Sequence, residues 1–285
     1  CLAGHAAGAE QRLKHRNIDV NLPNVFGRTA LHMCCSHGSH ATPILHMLLK
    51  VPGVKVNAAY HEGGMETPLH TVVSAGKADC VRLLLEHPDI DTNAVRTVGD
   101  TPLMLACGRG KQDMVHLLLS HPGIDVNLAQ AHSGVTALYI AACERHLGVM
   151  QLLLAHPGLN VNPVGPDGHT PLTVACYYGY ASVVQMLLAR PDIQVDKTSA
   201  AGWTALNYAT ISSAVTSSRG VECLRLLLAH PGVQVNTPNR NGDTALSLAA
   251  QRGWVTAVCV LLQHQGIDVN TATRTMEVPR ASALY

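Results

Sequence analysis

The phrase "GDTPLMLAC" (99–107), followed by "HPGIDVN" (121–127), decides how this chain is read. The first half returns as "GRTALHMCC" (27–35), "METPLHTVV" (65–73), "GVTALYIAA" (134–142), "GHTPLTVAC" (168–176), "GWTALNYAT" (202–210) and "GDTALSLAA" (242–250). The second half returns as "HPDIDTN" (87–93), "HPGLNVN" (156–162), "HPGVQVN" (230–236) and "HQGIDVN" (264–270). The threonines, Thr29, Thr67, Thr101, Thr136, Thr170, Thr204 and Thr244, are separated by 38, 34, 35, 34, 34 and 40 residues. The closing residues, Asn21, Asn57, Asn93, Asn127, Asn162, Asp196, Asn236 and Asn270, are separated by 36, 36, 34, 35, 34, 40 and 34. Two landmarks that keep step over the whole chain define a repeat architecture.

Each unit reads as helix, turn, helix, loop. Thr followed by Pro or Ala opens the first helix, because the hydroxyl caps free backbone N–H groups and Pro suits the first turn. Small residues follow and allow close helix packing. A glycine ends that helix at Gly38, Gly76, Gly110, Gly179 and Gly253. The second helix carries an apolar triplet such as Leu117, Leu118 and Leu119. Neither helix is long enough to stand alone in water, so each unit must stack on its neighbours.

The order G-x-T-P-L-H, alanine-rich turn, G-H, I-V-x-x-L-L and D-V-N loop resembles the ankyrin repeat over essentially the whole chain. The resemblance implies an all-α solenoid of stacked helix pairs with protruding β-hairpin loops. It also implies a protein-binding module without catalytic machinery. The family's histidine after P-L stands only at His32 and His70; Met104, Tyr139, Thr173, Asn207 and Ser247 replace it. We expect one repeat domain over 1–285, with whole repeats at 27–63, 64–98, 99–133, 134–167, 168–201, 202–241 and 242–279. Residues 1–26 read as a partial repeat or N-terminal cap, and "RASALY" (280–285) as the start of a further repeat. Because the chain begins at Cys1 and stops inside a repeat, we expect it to be a piece of a longer array.

Composition narrows the function. Charged residues make up 14%, below the roughly 25% of ordinary domains, and the net charge is +1 without like-charge runs. That argues against nucleic acid or an anionic membrane surface as partner. No apolar run approaches the ~18 residues that would span a bilayer. Nine cysteines, odd in number and mostly inside apolar helical patterns, are expected as reduced thiols of a cytoplasmic or nuclear protein.

Several stretches imitate chemistry. The histidine column His15, His87, His121, His156, His230 and His264 cannot ligate one metal, since stacked helices stand ~8–10 Å apart. Arg190 in the same column points to a cation at a helix C-terminus instead. "CCSHGSHATPILH" gathers Cys34, Cys35, His37, His40 and His46, but without zinc-site spacing. "CGRGK" (107–111) lacks the upstream glycine and trailing hydroxyl of a phosphate loop. Cys107, Cys143 and Cys176 fall in columns that face the stack, not an open pocket beside a base. No enzyme, cofactor, metal or small-molecule substrate is expected.

Positions the scaffold leaves open are the candidates for docking. Register gives Arg28, Glu66, Asp100, Val135, His169, Trp203 and Asp243 just before each threonine, and pairs such as Gly108/Arg109, Tyr177/Tyr178 and Gln251/Arg252 beyond it. The chain has only ten aromatics, and Tyr177, Tyr178, Tyr180, Trp203 and Trp254 gather in three consecutive repeats. With Arg109, Arg252, Asp100, Asp243 and His169 they form the expected partner-binding set, since interface hot spots favour Trp, Tyr and Arg. The Ser/Thr-rich insertion "ISSAVTSSRGVE" (211–222) reads as an extended inter-helix loop. The expected function is a monomeric protein–protein interaction module. The alternative is a regulatory or targeting segment of a larger enzyme, channel or effector whose activity lies elsewhere.

Overall fold

The structure, a computed structural model, describes residues 19–36, 41–61, 64–212 and 218–270. His37, His40, most of the partial repeat at 1–26 and the start of a further repeat at 280–285 lie outside the described residues. The described residues hold fourteen α-helices and no strand, in agreement with the all-α expectation. The hairpin loops are tight turns with two isolated antiparallel bridges, Tyr60–Glu66 and Ala129–Thr136.

Two compact units divide between Leu159 and Asn160. The first holds α1 (Ala30–Ser36), α2 (Ala41–Leu49), α3 (Pro68–Ala75), α4 (Ala78–Leu85), α5 (Pro102–Gly108), α6 (Gln112–Leu119), α7 (Ala137–Cys143) and α8 (Leu147–Leu154). The second holds α9 (Pro171–Tyr178), α10 (Ala181–Leu188), α11 (Ala205–Ile211), α12 (Ser218–Leu228), α13 (Ala245–Gln251) and α14 (Val255–Leu262). In the first unit, first helices α1, α3, α5 and α7 pack in one row and second helices α2, α4, α6 and α8 in another. The second unit repeats this with α9, α11 and α13 against α10, α12 and α14.

Local chemistry sets these boundaries. Thr67, Thr101, Thr136, Thr170, Thr204 and Thr244 each cap their helix, accepting at Oγ1 from the backbone N–H three residues on. The residue at that third position answers in five repeats: His32, His70, Thr173, Asn207 and Ser247 accept from the threonine's own N–H. Met104 brings no nitrogen or oxygen there. The histidines do more than their replacements: Nε2 of His32 donates to Glu66 O and Nε2 of His70 to Asp100 O, both at 3.2 Å. Asn207 is too short to repeat that reach, and its Nδ2 is buried without an acceptor among the described residues.

Helices of about two turns gain little from their own hydrogen bonds, so the buried rows decide stability. In the second helices, Leu84, Leu118 and Leu153 of the first unit and Leu187, Leu227 and Leu261 of the second are fully buried; in the first helices, so are Leu31, Leu69, Leu103 and Leu138 of the first unit and Leu172 and Leu206 of the second. Each contributes about 2 kcal/mol by leaving water. The glycine before each threonine holds a left-handed turn, with φ from +71° to +89° where glycine is present. Met65 occupies that column in one repeat at φ +65°, and Arg145 replaces the helix-ending glycine at φ +56°.

Two expectations change. The column histidines turn away from the helix carbonyls: Nδ1 of His87, His121, His156, His230 and His264 accepts the backbone N–H two residues on, at 3.1–3.3 Å. Each such bond closes the turn that follows the helix. Arg190 cannot accept, and pairs instead with Asp192 at 3.1 Å. The insertion is also not all loop. Ile211 ends α11, and Ser218–Glu222 begin α12, because Gly220, Cys223, Leu224 and Leu227 carry the buried stripe back through that segment.

Candidate protein-docking site

Tyr177 and Tyr178 sit on the last turn of α9, at 44% and 54% exposure, just before Gly179 ends the helix. Their rings meet edge to face at 5.2 Å. Tyr180, which precedes α10, stacks on Tyr178 at 5.6 Å with planes 22° apart. One repeat further, Tyr208 projects from α11 and is buried. Its ring lies 6.2 Å from Tyr177, 5.4 Å from Trp203 and 4.8 Å from His169. Its hydroxyl donates to Ser199 Oγ at 3.0 Å, which fixes the ring. The result is one continuous aromatic platform, held from beneath and open at Tyr177 and Tyr178.

His169 belongs to the platform's edge. Burial lowers its pKa, against the opposing pull of the Asp167 carboxylate, so the ring is neutral at pH 7. Its Nδ1 is buried with no hydrogen-bond partner among the described residues. Tyr208 was missed in the sequence. The signal was there: its column reads Met33, Thr71, Leu105, Ile140, Val174 and Leu248 in the other repeats, so an aromatic is out of pattern.

The remaining candidates separate. Trp254 and Arg252 form their own pair, with the guanidinium 5.3 Å from the indole centroid. Asp243 accepts from Gln251 Nε2, eight residues on, at 3.0 Å in an exposed bond. Arg109 is exposed but donates from Nη1 to Ser74 O at 3.0 Å. Asp100 is the clearest structural residue of the set. It accepts from Arg96 at 2.5 Å and from Gln130 Nε2 at 2.6 Å. That contact is one link in a ladder: Arg28 donates to the Tyr60 hydroxyl (3.2 Å), Tyr60 to Glu66 (3.1 Å), and Arg96 to Glu66 (3.4 Å) as well as Asp100. A cleft of about 230 Å³ opens beside it, lined by Arg28, His32, Ser36, Tyr60, Glu66 and Thr71 among others, and the ladder occupies most of its polar groups.

Among the described residues no group of three or more His, Cys, Asp or Glu side chains could hold a metal ion. Burial pushes the Cys107 and Cys176 thiols far up and that of Cys143 to about 11, the reverse of what a nucleophile needs. No described helix is long and apolar enough to cross a membrane.

Helix pairs of this length, threonine caps and loop joints spaced by one repeat define a class. The family model "Ankyrin repeats (3 copies)" matches residues 1–96, 40–130, 88–164, 128–199, 158–219 and 191–273, and the chain belongs to the ankyrin repeat family. Ankyrin repeats are in general protein–protein interaction modules and are typically non-catalytic. Among solved structures, the ankyrin repeat domain of Bcl-3, a member of the IkappaB protein family, is similar at 26% identity. It covers 83% of this chain and 99% of its own, with a TM-score of 0.72. The human ASB11 ankyrin repeat domain is 29% identical over 85% of this chain and 100% of its own, with a TM-score of 0.62. An ankyrin repeat domain of Acinetobacter baumannii is 26% identical over 69% and 97%, with a TM-score of 0.63. Among curated proteins no sequence matches this chain.

Proposed function

We propose that this chain binds a partner protein on the face formed by its hairpin tips and first helices, the concave face in ankyrin arrays, with Tyr177, Tyr178 and Trp203 as anchors. The observation that carries the reading is the aromatic platform itself. Tyrosine and tryptophan bring large contact area with few rotors, and here Tyr208 has already fixed the rings, so little ordering entropy is lost on docking. Asp100, tied to Arg96 and Gln130, drops out as an anchor. The eight described cysteines are unpaired, which supports a reducing compartment, cytoplasmic or nuclear.

Affinity capture with the wild-type chain against a Tyr178→Ala/Trp203→Ala variant tests this. The variant is expected to lose a specific captured protein while its circular dichroism and unfolding midpoint stay close to wild type. Equal recovery by both would remove the platform as the docking site.

A further inference from the structure

The three anchors come from two kinds of element. Trp203 stands on the hairpin turn before α11, whereas Tyr177 and Tyr178 end α9. A partner lying on all three reads the spacing between a turn and a helix. Ser199, buried at 5% exposure, ties the two together. Its N–H donates to Trp203 O at 2.9 Å, and its Oγ accepts from Trp203 N at 3.3 Å. The same Oγ accepts from the Tyr208 hydroxyl at 3.0 Å. A serine oxygen has two lone pairs, and these two bonds use both. Tyr208 then meets Trp203 at 5.4 Å and Tyr177 at 6.2 Å, ring centre to ring centre.

Two other repeats carry a polar side chain at the same place, five residues before the threonine that opens the first helix. Asn24 Oδ1 accepts from Phe26 N and Arg28 N, both at 3.0 Å, and its Nδ2 donates to Met33 Sδ, nine residues on, at 3.8 Å. Asn239 Oδ1 accepts from Asn241 N and Asp243 N, both at 2.9 Å. Nine residues beyond Asn239 stands Leu248, which has no polar side-chain atom, and Asn239 Nδ2 is buried without a partner among the described residues. Closing the turn is therefore common to all three positions. What differs is the reach to the helix nine residues on, and at Ser199 that reach ends on a ring of the platform.

We propose that Ser199 is the positioning residue of the docking site: its oxygen, shared by Trp203 N–H and the Tyr208 hydroxyl, sets the spacing between the hairpin anchor and the helix anchors. Ser199 is buried and acts through those two residues, without touching the partner. Asparagine can take its place, as Asn24 shows, with Oδ1 accepting from the turn N–H and Nδ2 left to donate to the Tyr208 oxygen. The assignment rests on the docking reading above and names the residue that fixes its geometry.

The chain has two tryptophans, so Trp254→Phe leaves Trp203 as the reporter. In that background, acrylamide quenching of Trp203, the urea midpoint and capture of the protein that Tyr178→Ala/Trp203→Ala loses are measured together. Ser199→Ala and Tyr208→Phe are each expected to raise the quenching constant and to weaken capture about fivefold, the worth of one hydrogen bond. The double variant should go little further than either alone, because both remove the same bond. Ser199→Asn is expected to return quenching and capture towards wild type. Leu224→Val, a destabilising change in the second-helix row, should lower the midpoint and leave both signals alone. Wild-type quenching and capture in Ser199→Ala and Tyr208→Phe, no recovery in Ser199→Asn, or the same loss in Leu224→Val overturns the proposal, since the bond is then scaffold alone. The two readings fail separately. Equal capture by wild type and Tyr178→Ala/Trp203→Ala removes both, whereas loss of capture there with none in the Ser199→Ala and Tyr208→Phe arms removes only the role of Ser199.

Discussion

Asn93 holds Gly123 across the boundary between repeats: its Nδ2 donates to Gly123 O at 2.8 Å while its Oδ1 accepts from Asp125 N, also at 2.8 Å. Asn21 does the same to Gly53 and Lys55, Asn57 to Asp89 and Asp91, Asn162 to Asp192 and Gln194, and Asn236 to Gly266 and Asp268. The asparagine that closes one loop is thus the clasp on the next. Asn93→Ala removes both bonds and should cost about 1–2 kcal/mol, and Asn93→Asp, which keeps the acceptor, about half of that. Urea unfolding at unchanged slope reads the difference. Equal losses in the two variants would deny the donor any role.

Asp196 is the one member of this series that cannot donate when ionised. Its carboxylate accepts from Gln234 N at 3.0–3.1 Å, and by register the carbonyl of Gly232 lacks its clasp. Burial raises the Asp196 pKa, so the native state favours the protonated form, and the stability this adds is present at low pH and lost as pH rises through the folded pKa. Asp196→Asn should therefore stabilise by about 1 kcal/mol at pH 7 and by less near pH 4. A gain that is the same at both pH values would show that the missing donor is not the cause.

His32 and His70 supply acid sensitivity. Nδ1 of each accepts from a threonine backbone N–H (3.2 Å from Thr29, 3.3 Å from Thr67), so a proton there destroys the bond. Burial, the largest influence, lowers both pKa values below 6.5. Unfolded histidine binds the proton first, so stability should fall as pH drops from about 6.5 towards the folded pKa. His32→Gln/His70→Gln should be less stable at pH 7.5 and flatter between pH 7.5 and 5. Thermal midpoints that fall with pH as steeply as in the wild type would refute the assignment.

Met65 and Arg145 hold left-handed backbone in columns that glycine otherwise fills. The conformation costs an L-residue with a side chain about 1 kcal/mol. Met65→Gly and Arg145→Gly are each expected to raise the unfolding midpoint, by up to that amount less whatever their side chains contribute. A lowered midpoint in both would mean that those side chains outweigh the strain.

The sequence made the array legible because caps, leucine columns and joints are local devices repeated at one period, and any single ambiguity is settled by the other copies. Reading Thr101 as a cap or Leu118 as core needs only its own repeat. The same logic hid what lies between repeats. That Asp100 is enclosed by Arg96 and Gln130, or that Asn93 serves the following loop, depends on side-chain reach across a boundary that residue type does not encode. The platform was half legible: Tyr177, Tyr178, Tyr180 and Trp203 stood out as surface aromatics. Tyr208, which joins them, sat in a column otherwise taken as plain core.

Every asparagine clasp points the same way along the chain and spans a single boundary. The Asp196 bond reaches Gln234, 38 residues on, where Asn93 reaches Asp125, 32 residues on, so the inserted residues of that repeat leave the accepting half of the joint in place. A chain fastened in this manner carries a pulling force one joint after another. Stretched from its ends, it is expected to give way in steps about one repeat long, peeling like the teeth of a zip.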